Sequence, residues 1–211
     1  MERIAFKALL HREGKLYSPL HPLVWEREHD PLLGEVIAAR LPARWDNPSE
    51  PGWGIHASTH FHACRFANSP YAGLFLVAPH PNAFVIQMGE SLWKADHVVL
   101  VERVTSVRYA ARRILDAHAA GYRQMPAILD WANAILWDVL PKGRREQLWR
   151  EAPRWIAQEL INCRPMLRRQ IKQFLGVPHM RRTPIVALDD DETLVRDGIV
   201  YVSANFVRSL L

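Results

Sequence analysis

Along the first half of the chain apolar residues recur at the two-residue period of half-buried strands, and after Val104 the period becomes helical. Ile4 to Leu10 reads as a strand, and the turn Arg12-Glu13-Gly14-Lys15 hands it to a short run at Leu16-Tyr17, as in a hairpin. Between Ser18 and Pro51 prolines 19, 22, 31, 42, 48 and 51 interrupt the pattern. That punctuation predicts a long ordered loop over 18–51, with one helical turn near Glu35 to Leu41 and with Trp25 and Trp45 needing burial. Trp53 to Ala57 reads as a short strand, and Ser58 as the N-cap of a helix that reaches Ala67 and stops at Asn68-Ser69-Pro70. Gly73 to Ala78 and Ala83 to Met88 are strands around the turn Pro79 to Asn82, and His97 to Val104 is apolar enough to be buried on both faces.

Thr105 or Ser106 caps the first helix, in which Val107, Ala110, Ala111, Ile114 and Leu115 keep helical spacing up to Gly121. Pro126 suits a first helical turn, and Ile128, Trp131, Ala132, Ile135, Leu136 and Val139 extend that helix to Pro141. A third helical region, Arg144 to Leu175, is broken at Pro153 and Pro165 and ends at Gly176. Its last piece sets Leu167, Ile171, Phe174 and Leu175 against a basic stripe of Arg164, Arg168 and Lys172. Strand character returns at Pro184 to Leu188 and Ile199 to Ser203, separated by the acidic run Asp189 to Glu192 and the turn Arg196-Asp197-Gly198.

The expected fold class is therefore α+β. It has a β-rich N-terminal half (1–104), a helical basic middle region (105–182) and a short β C-terminal tail (183–211). The tail either pairs with the first sheet, giving one domain, or flanks a helical subdomain.

Composition sharpens this picture only through charge. At 211 residues, 49% hydrophobic and 23% charged, the chain is an ordinary globular one that can bury a large core. The two cysteines, Cys64 and Cys163, are too far apart in sequence to read as a disulfide framework or a zinc finger, and imply reduced thiols. No run approaches the ~20 apolar residues of a membrane span and no secretion signal is present, so the expected location is cytoplasmic. The formal charge of +5 divides as −1 over 1–104, +9 over 105–182 and −3 over 183–211. Such an asymmetry points to a basic face for an acidic partner, a protein surface, a larger assembly or nucleic acid. The residues expected to bind are Arg112, Arg113, Arg164, Arg168, Arg169 and Lys172. No helix-turn-helix, zinc-finger or RNA-recognition signature accompanies them.

The densest chemistry lies in Gly52 to Phe66, which holds His56, His60, His62 and Cys64. Imidazole and thiolate are zinc ligands, but a helix would carry His62 away from His60, and no second ligand cluster follows, so no metal is expected. The acidic run Asp189 to Glu192 resembles a calcium loop but lacks its glycine and terminal glutamate.

The order of a strand, a loop, Gly54-Ile55-His56-Ala57-Ser58, a short helix, Leu74-Phe75-Leu76-Val77 and Val98-Val99-Leu100-Val101-Glu102 resembles small uncharacterised phage and bacterial proteins with a Gly-Phe-His or Gly-Trp-His motif. Over the same residues, about 4–104, it is more distantly similar to the ADP-ribosyltransferase fold. The first resemblance implies a non-catalytic accessory or structural protein, in a host cytoplasm or a virion, that acts by binding through the basic helices without a cofactor. The second implies NAD as cofactor, His56 stacking on nicotinamide and Glu102 stabilising the ribosyl cation. The first strand, Ala5 to Leu9, lacks the His or Arg with which those enzymes hold the ribose.

Overall fold

A computed structural model of the chain describes residues 3–19, 21–47, 50, 52–58, 72–89, 91–179 and 183–211. The chain forms two compact units, 1–129 and 130–211. Ser58, the expected cap, is described at the end of a strand, while the helix expected beyond it to Ala67, with His60, His62 and Cys64, lies outside the described residues.

The first unit is built on nine antiparallel strands: β1 (Ala5–Arg12), β2 (Lys15–Tyr17), β3 (Val24–Asp30), β4 (Gly34–Arg40), β5 (Ile55–Ser58), β6 (Ala72–Pro79), β7 (Val85–Gln87), β8 (Leu92–Ala95) and β9 (His97–Arg103). They are ordered β2-β3-β4-β9-β6-β1-β5-β8-β7. Because β2 also pairs with β1, at Leu10 with Tyr17, the first six strands of that order close into a ring. The remaining three extend from β1 as a flap. The β1–β2 turn has Glu13 and Gly14 at φ 50° and 76°, the doubly left-handed pair that matches the twist of a two-residue hairpin.

Between Ser18 and Pro51 the structure replaces the expected loop and helical turn with the hairpin β3–β4. The prolines stand at strand ends: Pro22 precedes β3, Pro31 sits in the turn and Pro42 follows β4. Asp30 Oδ1 closes that turn by accepting from the backbone N–H groups of Leu32 (2.8 Å) and Leu33 (3.1 Å). Charged residues at 26–29 mask the strand pattern, yet Trp25 is buried and donates its indole N–H to Ser18 Oγ at 3.1 Å, whereas Trp45, also expected to be buried, is exposed. The strand β8 was also unforeseen, being only four residues long. It pairs with β5 from Ile55 with Ala95 to Ser58 with Leu92.

Gly54, at the entry to β5, has φ +85°, and a Cβ there would sit 3.0 Å from Ala43 Cβ and 3.2 Å from Lys94 Cδ. Lys94 is fully buried, so its stem has little room to yield. Gly54→Ala is expected to cost roughly 2 kcal/mol through backbone strain and crowding, read as a lower urea midpoint at unchanged m-value.

Helix α1 (Val107–Ala119) follows β9, and Ser106 caps it by accepting from the Tyr109 N–H at 3.2 Å. Ala110, Ala111 and Ile114 are its buried stripe. Helix α2 (Pro126–Ile135) starts at the expected proline but stops short of Pro141, giving way to a 3-10 turn at Trp137–Val139.

The second unit contains α3 (Lys142–Glu151), α4 (Pro153–Cys163) and α5 (Pro165–Phe174), and both interruptions fall at the expected prolines, each in the first turn of its helix. The tail pairs within this unit and not with the first sheet. It forms a three-stranded sheet of β10 (Ile185–Leu188), β12 (Ile199–Ser203) and β11 (Leu194–Arg196), in that order, followed by α6 (Ala204–Ser209). β10 runs parallel to β12, a pairing that needs the long excursion through β11. Ile156, Leu160 and Ile161 of α4 share one core with Ile185, Ala187, Val200 and Val202 of the sheet and Val207 of α6. Among the described residues no helix is long and apolar enough to cross a membrane.

Candidate functional site

Helix α5 places its apolar residues Leu167 and Ile171 in the core of the second unit, and its spacing turns Arg168, Arg169 and Lys172 elsewhere. These three cations line one groove of about 900 Å³, whose other walls include Asn162, Pro178 and Pro184. Arg168 and Arg169 are exposed and form no ion pair among the described residues. Lys172 is 8% exposed, and burial lowers its ammonium pKa, with the Arg168 charge acting in the same direction. Two guanidinium forks over a partly desolvated ammonium suit carboxylate or phosphate oxygens.

The groove is backed by the outer edge of β10, and that edge is closed. Gln158 of α4 donates its amide N–H to Ile185 O (3.2 Å) and accepts from Ala187 N–H (2.9 Å), standing in for a further strand. Recognition here falls to side chains.

The other three expected binding residues are engaged elsewhere. Arg164 donates to Asp138 at 3.1 Å, Arg112 pairs with Asp116 at 3.4 Å, and Arg113 Nε–H donates to Glu102 at 3.4 Å. Arg112 and Arg113 belong to α1 in the first unit. The basic face read from the sequence thus narrows to the α5 groove.

His56 and Glu102 are on one face of the first sheet, since Ser58, Phe6, Leu76 and Glu102 are successive cross-strand partners. They stand on β5 and β9, three strand spacings apart, about 14 Å along the sheet. Glu102 is held by Arg113, and its second oxygen is buried and without a hydrogen-bond partner among the described residues. The backbone carbonyl of His56 accepts from Lys7 Nζ at 2.7 Å, and burial brings the Lys7 ammonium down to about 8. Among the described residues the register sets Lys94 opposite His56.

A polar cluster that the sequence reading missed joins β3, β9 and the β6–β7 turn. His80 and His97 stack with ring centroids 4.3 Å apart and 13° between planes. His80 Nδ1 accepts from the Asn82 N–H (3.1 Å), which leaves its proton on Nε2 to donate to Asp30 Oδ2 at 2.9 Å. His97 Nε2–H donates to Glu28 Oε1 at 2.7 Å, and Arg40 reaches the same oxygen at 3.3 Å. Burial raises the Glu28 carboxyl pKa, but hydrogen bonds and charge from Arg40 and His97 outweigh it and hold it below the usual range. The His97 pKa is lowered, burial outweighing the Glu28 carboxylate. Both nitrogens of His80 and both Asp30 oxygens are bonded, so this part of the cluster ties the β3 end to the β6–β7 turn. His80 is 17 positions from His97 and 50 from Asp30, so no spacing signal marked it.

Cys163 is half-buried, and its thiol, pushed up to about 11 by burial, donates weakly to Leu160 O, so it is chemically quiet. Among the described residues no three His, Cys, Asp or Glu side chains meet as a metal site. No protein-family model, curated protein or solved structure matches this chain.

Proposed function

We propose that the chain is a non-catalytic accessory or structural protein that binds an acidic protein partner through the α5 groove. The observation that supports this reading is the convergence of Arg168, Arg169 and Lys172 on one groove, while the remaining candidate arginines are neutralised by carboxylates. Each unpaired guanidinium is a ready carboxylate clamp, and the closed β10 edge leaves charge as the groove's principal attraction.

Retention on a heparin column tests the groove as a polyanion site. Wild type is expected to elute at distinctly higher salt than Arg168→Ala with Arg169→Ala, and the same elution salt for both would discard the reading. A short DNA duplex serves as the second arm. Binding whose log–log salt slope falls by about 2 in the double variant would reassign the groove from protein to nucleic acid.

A further inference from the structure

The second unit carries both halves of an ionic contact. At one end of β10, Ile185 lines the basic groove with Arg168, Arg169 and Lys172. Beyond its other end lie Asp189, Asp190, Asp191 and Glu192, all exposed. Asp191 accepts from Asn205 Nδ2 at 2.9 Å, and Thr193 Oγ1 accepts from the Ser203 N–H at 3.3 Å, so the acidic turn is held in place at its far side. Asp189 and Asp190 form no ion pair among the described residues. The strand between them has four residues, so the acidic turn begins about 13 Å from the groove at ~3.3 Å per residue. That strand is fixed against β12 by a four-residue register and against α4 by Gln158, so the turn cannot fold back into its own groove.

From this we infer that the partner of the α5 groove is a second copy of this chain, whose acidic turn at Asp189 and Asp190 seats against Arg168, Arg169 and Lys172. The inference rests on the reading of the groove as an anion site. The contact joins two different patches, so it either forms twice across a two-fold axis in a closed dimer or, formed once, leaves the pair with one free groove and one free turn from which rings or filaments grow. The carboxylates match the guanidinium forks in charge and geometry, and the attraction weakens with ionic strength because both patches are open to solvent.

Charge exchange tests it on the full chain. Wild type is expected to sediment above the mass of one chain at about 50 mM salt and as one chain at about 500 mM. Arg168→Glu with Arg169→Glu, and separately Asp189→Arg with Asp190→Arg, should each sediment as single chains at low salt. An equimolar mixture should associate again, since each variant offers what the other now lacks. A wild type that stays a single chain at low salt overturns the inference, as does self-association that survives in both variants, or a mixture that fails to associate. Heparin retention separates the two levels. If the Arg168→Glu, Arg169→Glu variant loses retention while wild type shows no self-association, the groove still binds anions and only the second copy is rejected. Unchanged retention together with no self-association rejects both.

Discussion

Trp93→Ala is expected to lower the stability of the first unit by about 3–5 kcal/mol, while Trp93→Phe should cost less than about 1 kcal/mol. Trp93 is the largest fully buried side chain, and it lies between Ala57 on β5 and Gln87 on β7. Truncation opens a cavity in the flap and removes a bulky ring from the middle strand. Among the described residues the buried indole N–H has no acceptor, so the native tryptophan carries a desolvation cost that phenylalanine avoids. The loss of ring volume and the relief of the orphaned donor act in opposite directions. Urea unfolding of both variants checks this: a phenylalanine variant as unstable as the alanine one would mean that the N–H is engaged.

The second large effect is a dependence on pH around neutrality. Glu159 is 2% exposed, and burial pushes its carboxyl up to about 7, the weak hydrogen bond from Asn162 opposing and the charge of Asp130 adding to the rise. An unfolded glutamate loses its proton near 4.5, so between about 4.5 and 7 the folded state holds a proton that the unfolded state releases. Stability is therefore full below about 4.5 and falls as pH rises toward about 7, by roughly 3 kcal/mol in all. Glu159→Gln fixes the neutral form in nearly the same volume. Amide exchange at Ile156, Leu160 and Ile161 should slow in this variant relative to wild type at pH 8, with the two proteins alike at pH 4.5 once intrinsic exchange rates are corrected. A wild-type profile flat from pH 4.5 to 8 would show that Glu159 ionises normally in place.

The parts of the fold legible in the sequence are those in which a local pattern decides. Ser106 as a cap, Pro126, Pro153 and Pro165 as helix starts and Gly14 in a hairpin turn all act within a few residues of themselves. The α5 part of the site was legible for the same reason, because the spacing of Leu167 and Ile171 dictates where Arg168 and Lys172 point. What escaped depends on distant partners. The charged run at 26–29 becomes strand only because β4 lies beside it, and Arg164 is removed from the basic face by Asp138, 26 positions earlier. The walls that turn three cations into a groove come from Pro178 and from β10, which no helical periodicity announces. The tail made its own sheet because α4 offers Ile156, Leu160 and Ile161 to cover it.

The closed ring of strands sets a timetable for the nascent chain. β4 ends at Arg40, but the strand that seals its outer edge, β9, ends at Arg103. At the usual rate of about 5–20 residues per second, a ribosome leaves that edge without its mate for roughly 3–13 seconds. During the interval the β3–β4 hairpin presents unpaired backbone to any neighbouring polypeptide, and the exposed charges on β4 itself, Glu35 and Arg40, are the chain's safeguard against misassembly until translation catches up.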